Sequence, residues 1–134
     1  MRENKWQQFE MPDASYVLTD LGRPAIFFIP SYKLLQRCDG ITAKELLHRF
    51  LFAEYGAYTT TLVPQFGLWK NGSDEPVYDE CVQYRVSFAG PERIPKLLAK
   101  LAEIARLIGE ECIYVEAGQY ACLVSPNPVH EKPH

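Results

Sequence analysis

The chain is 134 residues long, 47% apolar and 23% charged, with a formal charge of −3. That is the length of one ordinary domain, about 100–200 residues, and the composition excludes a disordered, collagen-like or coiled-coil chain. No apolar run approaches the ~18 residues of a membrane span; the longest, Ala25–Ile29, has strand length.

Residues 1–14 read as an N-terminal arm, with Trp6 and Phe9 expected to anchor it on the body. The arm lacks the apolar stretch of a secretory signal, so the expected location is cytoplasmic. Ser15–Thr19 suggests a short extended segment, and Asp20–Pro24 a turn. Ala25–Ile29 lies between Pro24 and Pro30 and predicts a strand buried on both faces. Thr42 and Glu45 form a capping box. Leu46, Leu47, Phe50 and Leu51 then follow at amphipathic-helix spacing, and Gly56 supplies the stop.

Ala57–Val63 is rich in β-branched and aromatic residues and predicts a strand, with Phe66–Lys70 as its continuation. Residues 71–76 (NGSDEP) predict a turn or hairpin loop. In Asp79–Phe88 the period is two: Val82, Tyr84, Val86 and Phe88 on one face, Cys81, Gln83, Arg85 and Ser87 on the other. A helix is predicted over about 92–108, with Pro95 in its first turn and Gly109 at its end. Cys112–Ala117 predicts a strand with Ile113 and Val115 on one face and Tyr114 and Glu116 on the other. Tyr120–Val124 predicts a last strand, and residues 125–134 a loose Pro-rich tail. Residues 15–124 therefore read as a single domain between arm and tail.

The main order is β-α-β-β-α-β, with extra short strands near the ends. It predicts an α+β fold of the ferredoxin-like, split βαβ kind, an antiparallel sheet with two helices on one face. The arrangement, over roughly 25–124, is similar to ferredoxin-like small-molecule regulators such as PII-type and CutA-type trimers. The resemblance is carried by element order; the PII-type nucleotide-binding loop is not present, so no binding residues follow from it. The stretches Tyr55–Thr59, Gly67–Trp69 and Val77–Glu80 also resemble short uncharacterised proteins of bacteria and their mobile elements.

With both helices on one side, the other sheet face is left open. It would carry Cys81, Gln83, Arg85, Tyr114 and Glu116, and we expect it to be covered by a second copy of the chain. Beside it, Gln65, Trp69, Tyr78, Glu80 and Tyr84 cluster near the middle hairpin. Aromatic walls with an amide and a carboxylate suit a planar ligand. Glu80 is the candidate catalytic group, since a carboxylate at a core edge can have a perturbed affinity for protons.

The remaining chemistry is limited. The cysteines Cys38, Cys81, Cys112 and Cys122 form no CxxC pair and read as reduced thiols, and with three histidines no zinc spacing occurs, so no metal and no cofactor is expected. His48 is the one histidine available to a Cys81 or Cys112 nucleophile, and it lies on a helix flank. No Gly-rich phosphate loop occurs. Arg93, Lys96, Lys100 and Arg106 line up along a helix and read as a solvated face, so nucleic acid and membrane are not expected partners. The sequence alone leads to a non-catalytic, homo-oligomeric domain binding a small molecule or a protein. The alternatives are a small metal-assisted enzyme acting on a nucleotide or phosphoester, and a protein inhibitor encoded by a mobile element.

Overall fold

The computed structural model describes residues 5–19, 21–61, 65–70, 72–88, 93–118 and 120–128; of Lys5, 65–70, 77–79, Phe88, Tyr120 and Ala121 it describes the backbone. In chain order the strands and α-helices are β1 (Arg23–Pro30), β2 (Arg37–Cys38), β3 (Ile41–Thr42), α1 (Ala43–Tyr55), β4 (Thr59–Thr60), β5 (Gln65–Lys70), β6 (Pro76–Phe88), α2 (Ile94–Ile108), β7 (Ile113–Ala117) and β8 (Tyr120–Val124). Short 3₁₀ turns lie at Lys5–Phe9 and Ser31–Leu35. The main sheet runs β4-β6-β1-β7-β8, with β5 following β4 along β6, and every neighbouring pair is antiparallel.

The helices form where their signals lie. The Thr42 hydroxyl accepts the Glu45 N–H at 3.1 Å, left-handed Gly56 ends α1, and Leu47 and Leu51 are buried on the predicted stripe. Pro95 sits in the first turn of α2, and Gly109 donates to the Ala105 and Arg106 carbonyls. Leu97, Leu101, Ile104 and Ile108 of α2 meet Leu47 and Leu51 of α1 over Phe27 and Ile29 of β1 in one core. Burying a side chain of this size contributes about 1.5–3 kcal/mol, so this layer carries the fold.

Several expectations are corrected. β1 is buried on one face only: Ala25, Phe27 and Ile29 are in the core, whereas Ile26 and Phe28 are half-buried on the far side. The strand expected over Ala57–Val63 is a two-residue β4, and 62–64 lie outside the described residues. No strand forms at Ser15–Thr19. Trp6 and Phe9 are about half exposed and pack on each other, with ring centroids 6.0 Å apart; the arm is held together locally, with the Tyr16 hydroxyl donating to the Phe9 carbonyl. The β2–β3 hairpin was not expected. Its signal is Asp39-Gly40, both at positive φ (55° and 91°), the conformation a two-residue primed turn requires.

Three of the four basic residues along and just before α2 are engaged within the fold. Arg93 donates to the Glu54 carbonyl at 3.2 Å, Lys96 pairs with Glu54 at 3.5 Å, and Lys100 pairs with Glu103 at 2.9 Å while lying over the Phe50 ring. Among the described residues no helix is long and apolar enough to cross a membrane, and no disulfide joins the four cysteines.

Candidate functional site

Register and alternation assemble the open sheet face from five strands. Ile26 lies opposite Arg85 on one side and Glu116 on the other, and Arg85 lies opposite Thr59. The next row starts with Gln83 opposite Phe28 and ends with Tyr114 opposite Leu123. The Phe28 and Tyr114 rings are 5.7 Å apart, tilted at 42°. Tyr114 donates its hydroxyl proton to Glu116 at 2.9 Å, and that hydrogen bond pushes the phenol up from its ordinary range. Cys81, Gln83, Arg85, Tyr114 and Glu116 thus share one face, as their alternation predicts. The sequence reading missed its apolar centre, Ile26 and Phe28, because AIFFI gives no period of two.

Beyond the end of β1 the sheet narrows to a ribbon. The last β1 pair is Pro30 with Cys81, while β6 begins at Pro76 and pairs onward with β5, from Gln65–Cys81 to Lys70–Pro76. Among the described residues, five residues of β6 therefore project with β5 as their sheet neighbour, about 17 Å of ribbon at ordinary strand rise. Glu80 is exposed at its root, beyond the helices. The other ligand candidates are divided. Tyr78, Glu80 and Tyr84 occupy even positions of β6, whereas Gln65 and Trp69 lie opposite the odd positions Cys81 and Val77, and strand neighbours of unlike parity sit on opposite faces. The side chains of Gln65, Trp69 and Tyr78 lie outside those described. Tyr84 is 2% exposed and stacks on Phe27 at 5.2 Å, so it is a core residue and not a surface wall. Burial, and then Tyr58, push its phenol up to about 12.

At the open edge of the core a second aromatic group forms. The Tyr58 ring lies 5.9 Å from Tyr84, and its hydroxyl is 2.7 Å from His48 Nδ1. Burial and Glu45 raise the Tyr58 phenol above its usual range. His48 also stacks on Phe52, with ring centroids 5.9 Å apart. His48 is thus engaged on the helix side, the side away from Cys81. Among the described residues no group of three or more His, Cys, Asp or Glu side chains is placed to hold a metal ion.

No protein-family model and no curated protein sequence matches the chain. Two solved structures do. The fold is similar to that of a phage SAM lyase in complex with S-methyl-5'-thioadenosine, with a TM-score of 0.59 and 16% identity over 84% of this chain and 96% of that one. It is also similar to a phage SAM lyase in the apo state, with a TM-score of 0.53 and 15% identity over 84% of this chain and 98% of that one. These neighbours are enzymes that act on a small molecule, S-adenosylmethionine. They overturn the expectation of a non-catalytic binding domain. That expectation rested on finding no acid–base or nucleophilic constellation in the sequence, a test that applies only to reactions needing one.

Proposed function

We propose that the chain is a small enzyme that breaks the sulfonium C–S bond of S-adenosylmethionine and releases S-methyl-5'-thioadenosine. The observation that carries the reading is the fold likeness, which extends over 96% of the phage SAM lyase chain holding that nucleoside. The antiparallel order β5-β6-β1-β7 also suits a ferredoxin-like, split βαβ description, in which β6 separates β1 from β5 and β1 separates β6 from β7.

The chemistry asks little of the protein. The sulfonium leaves as a neutral thioether, so the leaving group takes no proton. The substrate's own carboxylate can close on the carbon that loses sulfur. One C–O bond forms as one C–S bond breaks, the electron pair of the broken bond stays on sulfur, and the two opposite charges cancel. Holding these two groups in line is the dominant requirement, because orientation alone can lower a barrier by several kcal/mol. Exposed Glu80, at the root of the ribbon, is the group we assign to the sulfonium, and the Tyr78 position, of the same parity on β6, to the adenine. The resemblance to trimeric regulators and the apolar centre of the open face together support a homo-oligomer joined through Ile26, Phe28 and Tyr114.

Incubating the purified protein with S-adenosylmethionine and separating the products tests the reading. S-methyl-5'-thioadenosine should accumulate in proportion to enzyme, and Glu80→Gln should slow it by about 10²-fold, the scale of losing one electrostatic partner. Release no faster than in buffer would rule the reading out.

A further inference from the structure

The ribbon of β5 and β6 does not end free. Gly72, at its tip, donates its N–H to the Glu111 carboxylate, 3.0 Å from Oε2 and 3.3 Å from Oε1. Glu111 belongs to the short connection between α2 and β7, so the tip returns to the body beside the C-terminal end of α2. The approach is close: a Cβ at position 72 would meet Glu111 Oε1 at 3.3 Å, so the carboxylate would have to give by a few tenths of an ångström. The connection itself is firmly placed. Lys33 donates to the Ile108 carbonyl at 2.5 Å and faces Glu110 at 3.7 Å, and Gln36 donates to the Leu107 carbonyl at 3.1 Å. The tip of the ribbon is therefore tied to a connection that is itself held at the end of α2.

A two-stranded ribbon has little stability of its own in water, so its position follows from its attachments, among them the sheet at Cys81 and the contact at Gly72. We propose that Glu111 is a positioning residue: its carboxylate clasps the Gly72 N–H, sets the angle of the ribbon, and so fixes the Glu80 position for ligand. The inference rests on the proposed function for the identity of that ligand, and not for the clasp. A hydrogen bond to an ionised acceptor is about twice as strong as a neutral one, so removing it should shift the ribbon between docked and undocked forms. Affinity then falls by the docked fraction.

The test compares wild type with Glu111→Ala, Glu111→Gln and Gly72→Ala, by amide hydrogen exchange and by calorimetric titration with S-methyl-5'-thioadenosine. In Glu111→Ala the amides of 65–80 should exchange about tenfold faster while those of β1 and β7 keep their protection, and the Kd should rise about tenfold. Glu111→Gln retains a neutral acceptor and should recover part of both effects; Gly72→Ala leaves the carboxylate and crowds it only slightly, and should change both less than Glu111→Ala. Ribbon exchange unchanged in Glu111→Ala overturns the clasp. So does faster exchange with an unaltered Kd, since a merely structural contact would give that result. Failure of wild type to bind the nucleoside overturns the functional reading instead, and the exchange data still decide the clasp.

Discussion

Phe27 and Phe28 are adjacent on β1 and differ in everything around them. Phe27 is fully buried, stacked parallel on Tyr84 beneath both helices. Phe28 points the other way, half-buried, with the tilted Tyr114 ring beside it and exposed Leu123 opposite Tyr114. The first environment is fixed by packing: any change of volume is felt by α1, α2 and β6 together. The second is more open, with Tyr114 and Leu123 exposed. Its apolar content does little for the stability of one copy, which is why we assign that face to association.

The largest effect should come from Phe27→Ala. Losing a buried aromatic and leaving a cavity costs about 3–5 kcal/mol, to be read as a lower urea midpoint with an unchanged slope. If the loss were below about 1 kcal/mol, the helix-covered layer would not be the one holding the fold. The next effect is on alkaline stability through Tyr84. Its phenol is raised in the folded chain from 10.0 to about 12, so the stabilisation is complete below pH ~10 and is lost as pH rises toward 12. At about 1.4 kcal/mol per unit the loss is on the order of 2–3 kcal/mol. Tyr84→Phe should flatten that limb of the stability–pH curve, and an unaltered curve would show the phenol to be solvated. The smallest effect on unfolding belongs to the open face. Tyr114→Ala should change stability by less than about 1 kcal/mol and should lower the sedimentation coefficient. A large stability loss with unchanged sedimentation would erase the distinction between the two faces.

Much of this was legible in the sequence because local physics and tertiary packing agree there. The Thr42–Glu45 cap, the Leu47 and Leu51 stripe, Pro95 in the first turn, Gly109 at the helix end and the alternation of Val82, Tyr84 and Val86 each needed only short-range rules. The open-face set from Cys81 to Glu116 followed from alternation too, since one buried face fixes the other. What stayed hidden is set by partners far along the chain. That Ile26 and Phe28 face away from the core follows from pairing with β6 and β7, and an unbroken apolar run carries no phase. Tyr84 read as a ligand wall because an aromatic at a core position and one at a site look alike in sequence. Glu111 and Gly72 are 39 residues apart and carry no motif, so their contact appears only once the ribbon has folded back.

The outer edge of β6 has a consequence for association with the wrong partners. Thr60 lies opposite Tyr84 and Gln65 opposite Cys81, so β4 and β5 are set along β6 in registers that differ by two residues. The Thr61 N–H is already given to the Gln83 carbonyl at 2.9 Å. The described parts of this rim, β4 and β5, thus do not share one register along β6. An incoming chain aligned with one of them would be out of register with the other. Long, flat rims are where sheets grow into aggregates, and here the break in register limits that growth, steering contact between copies to side chains rather than to backbone.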